Sequence, residues 1–166
     1  MRLREKLAVA ILLPLTVPAC TRQQPAPTNT IAPSDRVVQS PAGTSKDVLE
    51  KTFHLKRTAT FAFEIPPHAA RPHLHGIFES FVGQVHGPSD DSANIDFLIL
   101  NEEQETALAS NHPSEALLSV EGSHSQSVNF DLPASMNQPV KYYLVFRNND
   151  GGKENRVVEA SFRVDF

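Results

Sequence analysis

Four stretches of the chain alternate apolar and polar residues with a period of two. Phe61, Phe63 and Ile65 alternate with Ala62 and Glu64, and Ile95, Phe97 and Ile99 share one side of a second stretch. Val140, Tyr142, Leu144 and Phe146 form a third row. In the fourth, Val158, Ala160, Phe162, Val164 and Phe166 alternate with Glu159, Ser161, Arg163 and Asp165. Side chains on a strand point to opposite faces in turn, so each pattern predicts a half-buried β-strand. Further strands are predicted at Phe53–Arg57, Leu74–Val82, Leu117–Glu121 and Ser127–Leu132. Pro66-Pro67, Gly87-Pro88, Pro133 and Asn148–Gly152 punctuate these runs as turns, and one short helix is predicted at Glu102–Ala109. Seven or eight short strands with this spacing predict an all-β fold, an antiparallel β-sandwich or jelly roll.

The first 45 residues follow other rules. Arg2, Arg4 and Lys6 outweigh Glu5, and Leu7 to Ala19 is an uncharged, mostly aliphatic run. A basic start before an apolar stretch of this length is the form of a secretory signal, and the run is shorter than the roughly 20 residues of a spanning helix. Residues 20–45 contain Pro25, Pro27, Pro33 and Pro41, seven Ser or Thr and no aromatic residue. Such a segment buries too little apolar surface to offset its ordering entropy, and its prolines keep it extended. The predicted organisation is a signal peptide at 1–19, a disordered tether at 20–45 and a β-domain at 46–166.

The apolar run ends Val17-Pro18-Ala19-Cys20. This resembles the lipobox of bacterial lipoproteins, with an aliphatic residue three positions before the cysteine and a small one just before it. The resemblance implies cleavage before Cys20 and acylation of its thiol. Cys20 is the single cysteine of the chain, so no intrachain disulfide forms, and lipidation accounts for a lone cysteine right after a signal. The implied partner is a lipid bilayer, reached through acyl chains on Cys20. The implied location is the cell envelope. Thr21 rather than Asp follows Cys20, which favours an outer membrane facing the periplasm in a Gram-negative cell.

Asn94–Leu100, the Tyr-x-Leu-x-Phe-x-Asn pattern within Val140–Asn148, and the last strand together resemble GOLD-like (emp24/gp25L-type) β-sandwich domains over roughly residues 50–166. That resemblance implies a protein-interaction module and not an enzyme. Lumenal eukaryotic members carry a C-terminal transmembrane helix, which is not found before this chain ends at Phe166, so no trafficking role carries over.

Charge narrows the partners. From Lys46 onward ten Lys or Arg face seventeen Asp or Glu, a balance that argues against nucleic acid, whose binding calls for a basic patch. An envelope protein is the expected partner.

Two constellations carry candidate chemistry. His73 and His75 are two apart, with Ile77, Glu79 and Phe81 following on the same strand face. His73, His75 and Glu79 could hold zinc or copper in a metal- or small-ligand-binding protein; the alternative is a set of exposed histidines bordering a Pro-rich loop. Asp90, Ser92, Asn94 and Asp96 place oxygen ligands as at the start of a calcium loop, but without the central Gly and distal Glu; the alternative is a solvated turn. No cofactor other than the covalent lipid is otherwise implied. No nucleophile elbow, phosphate loop or His-Glu-x-x-His motif is present, and no catalytic residue is assigned. Ser123 and His124 adjoin in sequence, but neighbours on a strand point apart. Tyr142 and Tyr143 are expected to split between the core and the outer face of their strand.

Overall fold

The computed structural model describes residues 43–166. The predicted signal peptide, Cys20 and the tether up to residue 42 lie outside the described residues. The strands are β1 (Ser45–Leu55), β2 (Thr58–Ile65), β3 (His73–Val82), β4 (Ile95–Asn101), β5 (Leu118–Ser123), β6 (Ser125–Asp131), β7 (Val140–Asn148) and β8 (Arg156–Asp165). Among the described residues one α-helix, α1 (Glu102–Ala109), follows β4 directly. The strands form two four-stranded sheets, ordered β1-β8-β3-β6 (sheet A) and β2-β7-β4-β5 (sheet B). All pairings are antiparallel. The molecule is an antiparallel β-sandwich.

Its core comes from the inward row of every predicted strand. Phe78 and Phe162 of sheet A meet Phe97 and Phe146 of sheet B, all four fully buried. Phe97 stacks on Phe162 at 5.2 Å between ring centres and lies 5.1 Å from Phe146. Phe53 packs 5.2 Å from Phe146 and 4.9 Å from Phe61, closing the same side. Offset and edge-on ring pairs of this kind add to the area each ring removes from water. Gly76 makes room for them: a Cβ there would lie 2.3 Å from the Ser161 carbonyl oxygen and 2.5 Å from the Phe162 ring. A glycine within a strand is the usual answer to such a close approach.

The predicted and observed strands differ most at β1. The sequence pattern predicts a strand only at Phe53–Arg57, but pairing with β8 runs from Ser45 to Leu55, and Lys56-Arg57 turn into β2. A register shift between Asp47 and Leu49 breaks the alternation and hides the strand's first half from a period-two reading. The Gly43 N–H donates to Phe166 O at 2.8 Å and the Phe166 N–H to Thr44 O at 2.9 Å. Strand-like bonding thus reaches into the last residues assigned to the tether. On this edge strand Lys51 turns towards the core side, with Nζ 5.7 Å from the Phe61 ring centre, an inward charge that blunts an exposed edge.

The outer faces of the two sheets are built differently. On sheet B, Leu98 faces Val145 and Leu100 faces Tyr143 across β4 and β7. Leu100 and Val145 are buried, although both point away from the core, because α1 lies over them. The helix starts where β4 stops. Asn101 Oδ1 accepts from the Gln104 N–H at 2.8 Å, and Gln104 Oε1 accepts from the Asn101 N–H at 2.9 Å, a complete capping box. Gln104 Nε2 also donates to Glu115 O at 2.6 Å, fastening the returning loop. Among the described residues the outer face of sheet A has no such helix.

Candidate functional site

The open face of sheet A is built from the outward rows of β3 and β8, flanked by β1 and β6. Strand register sets its rows. His73 sits between Asp131 of β6 and Asp165 of β8, and His75 between Asn129 and Arg163. Ile77 sits between Ser127 and Ser161, and Glu79 between Ser125 and Glu159. Outside β8, Asp47 pairs with Arg163, Glu50 with Ser161 and Thr52 with Glu159.

At one end the two imidazoles meet carboxylates. His73 Nδ1 lies 2.7 Å from Asp131 Oδ1, and His75 Nδ1 lies 3.4 Å from Asp165 Oδ2. The rings stack with centres 6.0 Å apart. Arg163 Nε donates to Asp47 Oδ1 at 2.7 Å. That hydrogen bond and the Asp47 charge raise the Arg163 pKa, with Asp165 and Glu50 adding to the effect, so the guanidinium stays charged. At the middle, Ile77 is 52% exposed. It lines a depression of about 530 Å³ with Glu50, Lys51, Thr52, Glu79, Glu159 and Ser161. Glu79 faces Glu159 directly across the strands, and like charges so placed repel. At the far end the face is covered. Phe81 is buried, with the His86 ring edge-on at 5.6 Å.

The sequence-predicted ligand set is only partly assembled. His73 and His75 lie side by side, but Glu79 is four residues further along the extended strand, roughly 13 Å away. It belongs to the Ile77 depression and not to the histidine pair. Among the described residues no group of three His, Cys, Asp or Glu is gathered to hold a metal ion. The carboxylates beside the histidines, Asp131 and Asp165, were not singled out by sequence reasoning. Alternation places each on an outward row, but only strand order makes them neighbours of His73 and His75.

The proposed calcium loop does not converge on a point either. Asp90 caps a single 3₁₀ turn, Asp91–Ala93, accepting from the Ser92 N–H at 2.8 Å and the Ser92 hydroxyl at 2.5 Å. These hydrogen bonds hold its carboxyl below the usual range, the hydroxyl contributing most. Asn94 Oδ1 lies 3.3 Å from His124 Nδ1. Asp96 is on the outer face of sheet B, in the same row as Leu98 and Leu100. Its Oδ1 accepts from the Gly122 N–H at 3.0 Å, and its Oδ2 accepts from Arg147 at 2.9 Å and 3.2 Å. The four oxygens are therefore committed to a turn, a histidine and a cross-strand ion pair.

Ser123 and His124 serve the backbone and the turn. The Ser123 hydroxyl donates to Ser125 O at 2.9 Å, while the His124 ring faces Asn94. Tyr142 is buried in the core and Tyr143 faces outward, with Lys141 Nζ 5.7 Å from its ring centre. This is the split expected from the alternation of β7.

No family model matches the chain, and no curated protein matches it. Among solved structures it is similar to TmCBM61 in complex with β-1,4-galactotriose, at 8% sequence identity and a TM-score of 0.40, with 68% of this chain and 67% of that chain covered.

Proposed function

We propose that this chain is a lipid-tethered, non-catalytic binding module of the cell envelope. In this reading Cys20 carries the acyl chains, the Pro-rich segment after it is a spacer, and the open face of sheet A receives a protein partner. One observation carries the reading: among the described residues, one outer face of the sandwich is covered by its own helix and the other is left open around an exposed isoleucine. An apolar residue ringed by hydroxyls and charges is the small-scale form of an interface centre with its polar rim. The carboxylate excess around Ile77 favours a partner with a basic surface. The GOLD-like resemblance also favours protein binding over catalysis. In a Gram-negative host, Thr21 after the cysteine favours the outer membrane, facing the periplasm.

Attachment follows from the lipid. Each buried methylene contributes about 0.8 kcal/mol, and two or more chains hold a protein far longer than one. The acidic domain adds no attraction to an anionic bilayer.

Two measurements test the reading separately. Metabolic palmitate labelling is expected on the intact chain and not on Cys20→Ala; equal labelling of both removes the anchor. A photo-crosslinking residue at position 77, in cells, is expected to capture a discrete partner, while the same residue at Ala109 on α1 captures none. Absence of any adduct at position 77, or equal adducts at both positions, removes the assigned face.

A further inference from the structure

We propose that His73 and His75 form a two-imidazole chelate for a divalent transition ion, copper(II) before zinc, with Asp131 and Asp165 as the groups that orient the rings. The proposal stands on the histidine end of the open face alone and does not depend on what partner that face receives.

Ring separation is the first argument. An imidazole nitrogen binds such an ion at about 2.0–2.1 Å, which puts the ion about 3.2 Å from the ring centre. Two rings sharing one ion therefore lie at most about 6.4 Å apart, and about 5.2 Å apart at a tetrahedral angle. The observed centres are 6.0 Å apart. Closing to the tetrahedral value takes less than about 1 Å of movement. Both side chains are a little over a third exposed, 38% and 37%, so neither is locked by packing.

Orientation is the second. A carboxylate only accepts hydrogen bonds, so the neutral ring beside it carries its proton on Nδ1. For His73 the acceptor is Asp131 at 2.7 Å, and Asp165 Oδ2 lies 3.4 Å from His75 Nδ1 as an ion-pair neighbour. The lone pair of the His73 ring is then on Nε2, and a small rotation of His75 towards Asp165 gives the second ring the same tautomer. A carboxylate behind each ligating imidazole is the arrangement that fixes tautomer and raises ligand basicity at metal sites. The carboxylates come from strands on opposite sides of β3, so each ring has its own.

Ligand chemistry selects the ion. Neutral imidazoles suit copper and zinc, and affinity for a given nitrogen site is higher for copper(II). Two protein ligands leave the remaining positions to water, so the site is open and exchangeable. Glu79, which lines the Ile77 depression, takes no part.

The test is a copper(II) titration of the full chain in detergent, read by electron paramagnetic resonance. The expected result is one ion with two coupled nitrogens, absent from a His73→Asn, His75→Asn variant that keeps its far-ultraviolet circular dichroism. Glu79→Gln is expected to bind as the unaltered chain does, and Asp131→Asn to bind about tenfold more weakly. Should the double variant misfold, the unaltered protein still decides. Substoichiometric copper should broaden the imidazole resonances of His73 and His75 ahead of the other histidines. Equal binding by the folded double variant, loss in Glu79→Gln, simultaneous broadening of all histidines, or displacement of copper by equimolar zinc would overturn the proposal.

Discussion

The outer faces of sheets A and B start from similar strands and end as opposites. On sheet B, the outward residues Leu98, Leu100 and Val145 are aliphatic, and α1 covers them. On sheet A, the outward row of β3 is His73, His75, Ile77 and Glu79, and among the described residues no element crosses its middle. An apolar outward row needs a cover, and the capping box at Asn101 starts one within a residue of the end of β4. A row that is polar but for Ile77 needs none. The fate of each face thus depends on the residues that point away from the core.

Removing the same kind of side chain from each face tests this contrast most strongly. Leu100→Ala opens a cavity under α1 and is expected to cost about 2–4 kcal/mol. Ile77→Ala on the open face is expected to stay within about 0.5 kcal/mol. Urea unfolding of the two variants measures the difference, and equal losses would show that sheet A also has a cover. Next comes the ion pair on the outer face of sheet B. Asp96→Ala leaves the Gly122 N–H and the Arg147 guanidinium without their acceptor, an expected loss of about 1–3 kcal/mol. The exposed pair Asp47–Arg163 on sheet A is expected to be worth less than about 1 kcal/mol in a double-mutant cycle. Third, Asn101→Ala removes the helix cap at a cost of about 1 kcal/mol. Amide exchange should then quicken in α1 while β3 is unchanged.

The smallest effect expected is a pH dependence. Burial tends to raise the Asp150 pKa, but the N–H groups of Gly152, Glu154 and Lys153 and the charge of Arg156 outweigh it, and the carboxyl is held below 3.8. A carboxyl depressed by folding contributes stability that is complete above its unfolded value and is lost as pH falls through the folded one. Asp150→Asn should therefore flatten the melting temperature profile below about pH 4 and leave it parallel to the unaltered protein at neutral pH. An unchanged acid limb would show that the loop between β7 and β8 does not sense protonation.

Much of this architecture can be read from the chain. The inward rows of β2, β4, β7 and β8 are plain alternations, and the structure buries them as such. Helix α1 occupies Glu102–Ala109 as the sequence pattern predicts. Less legible was β1, where a bulge interrupts the period and an edge strand carries exposed charge. The continuous run Phe97-Leu98-Ile99-Leu100 showed one buried face by its spacing but did not reveal that a helix would bury the other.

Local chemistry therefore determined the strands, the turns, the helix and which residues face inward, because backbone geometry ties side-chain direction to sequence parity. It also singled out His73 and His75 as neighbours, since residues two apart on a strand always share a face. Strand order was decided only in the assembled sheets. Placing β3 between β8 and β6 brings Asp165 and Asp131 to the histidines and leaves Glu79 with Ile77. Placing β4 beside β7 gives Asp96 to Arg147, away from the Asp90 turn. Long-range pairing depends on the packing of the whole core, and no spacing along one segment encodes which strand lies next to it.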